Sequence, residues 1–122
     1  MDETAYLREG TYIAPHATVL PNAKIGNHCS IRASANVGHD CRIGDFSYLG
    51  PNATLSGRTI VEEGVHIGPN ACTLGRTTIG AFSVVGIGSA VIKDLPLYSA
   101  SFGVPARILE RIDPRFGKDR KG

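Results

Sequence analysis

Counted by sixes, the chain places Leu7, Ile13, Val19, Ile25, Ile31, Val37, Ile43, Leu49, Leu55, Val61, Ile67, Thr73, Ile79, Val85 and Val91 in one column, and all but Thr73 are Ile, Val or Leu. No insertion breaks the spacing. A period of six fits neither the 3.6-residue turn of an α-helix nor the two-residue alternation of a flat strand, which excludes helical bundles and hairpin meanders. It is the sequence mark of a parallel β-helix built from hexads, whose apolar face is buried only by stacking on its neighbours.

A second column lies four residues after the first, from Thr11, Ala17, Ala23 and Cys29 to Thr77, Ser83 and Ser89, and holds small residues throughout. Branched aliphatics and small side chains in alternation describe a narrow core, filled from a backbone that coils around it. Gly26, Gly38, Gly44, Gly50, Gly68, Gly80 and Gly86 directly follow an aliphatic. Pro15, Pro21, Pro51 and Pro69 come one place later, three of them followed by Asn22, Asn52 and Asn70. Gly, Pro and Asn in succession are turn chemistry, so each hexad reads as a short strand and a corner. Composition agrees: with 15 Gly, 7% aromatic residues and no Trp, there are too few large side chains for a conventional sandwich or bundle core.

With 13 Lys+Arg against 11 Asp+Glu the net charge is +2, too slight to point to nucleic acid or a membrane surface as partner. The uncharged run Thr77 to Ile92 is too short to span a bilayer, and no basic segment followed by an apolar one opens the chain. Cys29, Cys41 and Cys72, none in a CxxC, read as reduced thiols of a cytoplasmic protein.

The hexad aliphatic–Gly–x–x–small–x resembles the left-handed parallel β-helix of the hexapeptide acyltransferases. The resemblance implies three hexads to each triangular coil, wound left-handed against the usual rule for crossovers. The expected fold is an all-β, left-handed parallel β-helix of about five triangular coils over residues 1–95. Leu95 stands where a small residue is due and Pro96 follows, which ends the pattern. Residues 96–122 are expected as a C-terminal extension. It would hold a short amphipathic helix from Pro105 to Ile112, with proline at its start, and a solvated basic tail (Arg115, Lys118, Arg120, Lys121).

A β-helix can be pure scaffold, so activity has to be argued from residues that break its pattern. His39-Asp40, inside Val37-Gly38-His39-Asp40-Cys41, is the first of these, at a corner and outside the core. An imidazole is a workable general base at neutral pH, and a neighbouring carboxylate fixes its tautomer and raises its basicity. With three hexads per coil, the positions stacked on His39 are Gly57 and Gly75. Two positions without side chains leave a groove and exposed N–H groups beside the histidine, as an oxyanion site requires. The plainer alternative is that both glycines only ease their corners.

The segment Val37 to Ile43 with Asp45-Phe46-Ser47, then Pro51-Asn52-Ala53-Thr54-Leu55-Ser56-Gly57, is similar to the sugar O- and N-acetyltransferases of the sialic-acid and bacillosamine type. Their motif runs His-(Asp/Glu)-Cys-x-Ile-Gly-(Asp/Glu)-Phe ahead of Pro-x-Ala-x-x-x-Gly. Val91 to Pro96 and Gly103 to Arg107 match the same family's closing signature. The resemblance implies transfer of an acetyl group from acetyl-CoA to an amino or hydroxyl group of a sugar, foremost a nucleotide-linked amino sugar, without a metal. It places the general base on His39, the acid that supports it on Asp40, and the acetyl carbonyl at the Gly57 N–H. Further cofactor contacts fall on Tyr48, Pro69 and Ile87. It also implies a homotrimer of about 39 kDa, three times 12.9 kDa, with acetyl-CoA lying between adjacent subunits. Tyr48 stands where some relatives carry a second histidine. Those enzymes usually carry an N-terminal α/β domain, whereas the repeat here begins almost at Met1, so the chain reads either as a stand-alone relative or as a shortened one. Two rival readings share the fold: an O-acetyltransferase for a small hydroxy-amino acid, and a trimerising module without catalysis.

Other residues read more plainly. His16 and His28 share the hexad phase of Asp40 and are expected in solvent, while His66, one coil from Tyr48, could line the cofactor groove. Cys29 and Cys41 belong to the small inward column, and Cys72 faces outward with no neighbouring base. The four histidines lack the paired spacing of a hexapeptide zinc enzyme, so no metal site is expected. Thr73, the polar break in the aliphatic column, is expected to point inward. If its hydroxyl lacks a partner, Thr73→Val should stabilise the chain or leave it unchanged without touching turnover, with Thr59 as the control.

Overall fold

A computed structural model describes residues 6–7, 9–113 and 118–119. Each hexad contributes a two-residue strand ending on the aliphatic column, and strands three hexads apart pair in parallel. Ile25 lies opposite Ile43, Ile31 opposite Leu49 and Val37 opposite Leu55. The result is a three-sided, left-handed parallel β-helix of about five coils. The first face stacks Tyr6–Leu7, Lys24–Ile25, Arg42–Ile43, Ile60–Val61 and Thr78–Ile79. The second stacks Tyr12–Ile13, Ser30–Ile31, Tyr48–Leu49, His66–Ile67 and Val84–Val85, and the third Thr18–Val19, Asn36–Val37, Thr54–Leu55, Cys72–Thr73 and Ala90–Val91.

The two columns divide the interior between them. Val19, Ile25, Ile31, Val37, Leu49 and Leu55 are almost wholly buried along the faces, and Ala23, Cys29, Ala35, Cys41 and Ala53 fill the corners. Each corner turns on a residue in the left-handed region. From His16 to Phe82 these recur every six residues with φ between 55° and 66°, glycine taking the place at Gly64. Side chains other than Asn and Asp enter this region at a cost of roughly 1–2 kcal/mol. The N–H that the turn exposes is bonded to the corner one coil earlier: Asp40 N–H to Pro21 O (3.1 Å), Arg58 N–H to His39 O (2.9 Å), Arg76 N–H to Gly57 O (3.1 Å). These bonds line the corners up into straight edges. Coil also lies close on coil just past each strand, where a Cβ added at Gly50 would come within 2.7 Å of Pro69 N.

The regular stacking changes at Leu95. Leu95 is buried and bridges Ile79, two residues short of a full coil. Ser99–Phe102 then stacks on Val84–Val85, and Arg107–Asp113 pairs antiparallel with it, followed by Lys118–Asp119. The helix expected from Pro105 to Ile112 is therefore a strand. Two helical turns are marginal on their own, whereas the open edge of Ser99–Phe102 presents unpaired N–H and C=O groups that a strand satisfies. The connecting turn closes the third face as well: Ala90 N–H donates to Gly103 O (2.9 Å) and Ala106 N–H to Ala90 O (2.8 Å). Beyond the backbone of Lys118–Asp119, the expected basic tail lies outside the described residues.

Candidate active site

His39 and Asp40 form the corner between Asn36–Val37 on the third face and Arg42–Ile43 on the first. Asp40 takes the left-handed position (φ 59°), which Asp tolerates better than most residues, and this leaves His39 on the outer bend. Both side chains are about half exposed. His39 Nδ1 lies 3.0 Å from Asp40 Oδ2. An ionised carboxylate can only accept, so Nδ1–H donates and the lone pair of the neutral ring resides on Nε2. The hydrogen bond from His39 holds the Asp40 carboxyl below the usual carboxylate range, and the Arg58 guanidinium, 4.0 Å away, adds to the effect.

The free side of the imidazole lies over Gly57. A Cβ at that position would come within 2.7 Å of His39 Cε1 and 2.9 Å of Cδ2. Gly57 is outside the left-handed region, so it is the ring, and not the turn, that requires glycine here. The Gly57 N–H donates to no acceptor among the described residues. Gly75, a coil further on, lies clear of the histidine: a Cβ there would meet Gly57 O at 3.2 Å.

The peptide that carries this N–H is anchored from the inside. Burial pushes the Cys41 thiol up, so it stays protonated, and Cys41 Sγ donates to Ser56 O (3.2 Å). Thr59 Oγ1 donates to the same carbonyl (2.8 Å). The Thr73 hydroxyl is buried 2.9 Å from that of Thr59 and accepts from Ser56 N–H (3.3 Å). Thr73 thus points inward as expected, but its hydroxyl is fully partnered, and Thr59 is that partner and no independent control. Sequence reasoning missed the contact because Thr59 satisfies its column by size alone. The available signal was the polar break at Thr73 together with a hydroxyl in the small column at Thr59, both close to Gly57.

The remaining candidates lie elsewhere on the prism. Tyr48 and His66 are register partners on the second face, their rings stacked at 4.4 Å and 7°. Pro69 and Ile87 lie one coil apart on the edge between the second and third faces, where Gly88 N–H donates to Pro69 O (2.9 Å). Within one chain, then, His39, Asp40 and Gly57 come together on one edge of the third face, and Pro69 and Ile87 occupy the opposite edge. His16 and His28 are exposed, Cys29 and Cys41 buried and Cys72 exposed, as expected. Beside the His39–Asp40 pair runs an open groove of about 700 Å³, lined by Lys24, Asp40, Arg42, Arg58, Ile60 and Arg76.

The family model described as bacterial transferase hexapeptide (six repeats) matches residues 4–39, 22–57 and 40–75. The acyl-[acyl-carrier-protein]–UDP-N-acetylglucosamine O-acyltransferase of Pseudomonas paraeruginosa is 38% identical over 102 residues, covering 82% of this chain and 39% of that protein. Among solved structures, perosamine N-acetyltransferase from Caulobacter crescentus, crystallised with CoA and GDP-perosamine, is 32% identical with a TM-score of 0.77. The match covers 86% of this chain and 53% of that one. WeeI from Acinetobacter baumannii AYE is also 32% identical, with a TM-score of 0.84 over 86% of this chain and 52% of its own. The chain thus spans between two fifths and about half the length of these relatives.

Proposed function

Because the chain belongs to the bacterial transferase hexapeptide family, we propose that it transfers an acetyl group from acetyl-CoA to an amino or hydroxyl group of a sugar. The observation that carries this reading is a carboxylate-oriented imidazole whose Nε2 side lies against a glycine whose N–H has no acceptor among the described residues. Bound acetyl-CoA would supply the thioester carbonyl that the acceptor attacks. His39 Nε2 takes the proton from the acceptor nitrogen or oxygen as that atom adds to the carbonyl carbon. The Gly57 N–H donates to the carbonyl oxygen as negative charge develops there. The imidazolium, steadied by Asp40, then returns its proton to the departing sulfur. Four cations against one carboxylate in the adjoining groove suit an acceptor that carries phosphate, in line with a nucleotide-linked sugar.

The two groups of candidate residues support assembly as a homotrimer. The third face between them presents Thr18, Asn36, Thr54, Cys72 and Ala90 outward, without a charge. Three prisms with this face toward a common axis bring the His39 edge of one copy against the Pro69 and Ile87 edge of the next. Tyr48 and His66 then flank the same groove. Three free thiols fit a cytoplasmic setting.

The test is release of CoA on a panel of nucleotide-linked amino sugars, free sugars and serine. General base catalysis is worth roughly 10²–10⁴ in rate, so His39→Ala should lose at least about a hundredfold in kcat. Turnover within threefold of wild type would remove His39 from the mechanism.

A further inference from the structure

Along every edge of the prism, the N–H that follows the aliphatic residue donates to a main-chain carbonyl in the next coil. Gly38 donates to Leu55 O (2.9 Å), Gly44 to Val61 O (2.7 Å), Gly50 to Ile67 O (2.8 Å) and Leu74 to Val91 O (2.8 Å). Ser56 departs from this ladder. Its N–H donates to the Thr73 side chain, Oγ1 at 3.3 Å, in place of the Thr73 carbonyl. Its own carbonyl accepts the Thr59 N–H (3.3 Å), the turn bond found at other corners too, and two buried side-chain donors besides, Thr59 Oγ1 at 2.8 Å and Cys41 Sγ at 3.2 Å. Donation from a small-column side chain to this carbonyl recurs elsewhere, as in Ser47 Oγ to Glu62 O (2.9 Å) and Cys29 Sγ to Gly44 O (3.1 Å). The added threonine pair is what distinguishes the coil at Ser56.

The hydroxyls close a ring: Ser56 N–H to Thr73, Thr73 O–H to Thr59, Thr59 O–H to Ser56 C=O. A peptide unit is planar and trans, so a carbonyl pinned toward the core points the following N–H the opposite way. The following N–H is that of Gly57, which lies beneath the His39 ring. We propose that Thr59 and Thr73 are positioning residues that aim the Gly57 N–H into the groove. This rests on the acetyltransferase reading for its chemical consequence, but the aim of the peptide is a property of the fold and is measurable without it.

Thr73→Val keeps the side-chain shape, removes the hydroxyl and lets Ser56 N–H rejoin the main-chain ladder, which tilts the Ser56–Gly57 peptide. The expected result is a folded protein in which the Gly57 amide resonance shifts and kcat falls about tenfold, while the KM for acetyl-CoA stays within twofold. Thr73→Ser should restore both readouts, and Thr59→Val should repeat the loss. Ser47→Ala, which removes the corresponding donor at another corner, should lower thermal stability and leave the Gly57 amide and kcat alone. An unmoved Gly57 amide in Thr73→Val and Thr59→Val overturns the proposal. So does a loss confined to melting temperature or to KM. If wild type turns over no acceptor, the acetyltransferase reading fails, and the amide resonance still decides whether the threonines set the peptide.

Discussion

At His39 one hydrogen bond divides the labour of the two ring nitrogens. Nδ1 is committed to Asp40, so chemistry falls to Nε2, and the ring plane is fixed over a residue that has no Cβ to displace it. Asn at position 40 could still accept from Nδ1–H but without charge, and Asp40→Asn should lower kcat about tenfold with little change in KM. The same substitution has a signature in stability. Folding lowers the Asp40 carboxyl below its ordinary value, first through His39 and then through Arg58, so the folded state favours the ionised form. That contribution is present above the ordinary carboxylate range, near pH 4, and is lost as pH falls through the lowered native value. The margin of wild type over Asp40→Asn in urea midpoint should therefore be open at pH 7 and close on acidification below about pH 4. His39, Asp40 and Gly57 were all legible in the sequence, because one motif and one coil spacing suffice to stack them. The threonine ring was not, since the hexad specifies the size of an inward residue and leaves the direction of its hydroxyl open.

The hexad is the element of this molecule, and its geometry tolerates little volume where coils touch. At Gly50 an added Cβ meets main chain, Pro69 N at 2.7 Å and Gly68 C at 2.9 Å, with no flexible side chain to yield. Gly50→Ala should destabilise by about 1–3 kcal/mol, typical of overpacking, and the melting temperature checks it. Strands, corners and their boundaries were readable because each is set by six consecutive residues. The segment after Pro105 was misjudged for the opposite reason. Ile108, Leu109 and Ile112 have a spacing that serves a helix, yet the strand that carries them pairs with Ser99–Phe102 through Arg107, Ile108, Glu110 and Arg111, and that open edge exists only once the last coil is in place. Local pattern cannot report an unsatisfied edge made by residues further up the chain.

For the whole molecule, the proposed trimer rests on the third face. It carries no charge and separates two groups of candidate site residues that no single chain can bring together. Sedimentation should give one species near 39 kDa, three times 12.9 kDa, at micromolar concentration. A stable monomer would leave the groove beside His39 with a single wall and would undercut the site as described. The closing segment has a separate consequence, for polymerisation. A parallel coil is a template for another of its kind, and a stack with bare ends would grow head to tail into a fibre, the heterologous contact that never closes. Here Leu95 shortens the last coil by two residues, the turn around Gly103 consumes the hydrogen bonds of Ala90, and Arg107–Asp113 runs antiparallel across the remaining edge. An incoming copy finds neither the spacing nor the strand direction it needs, so the chain sets its own length.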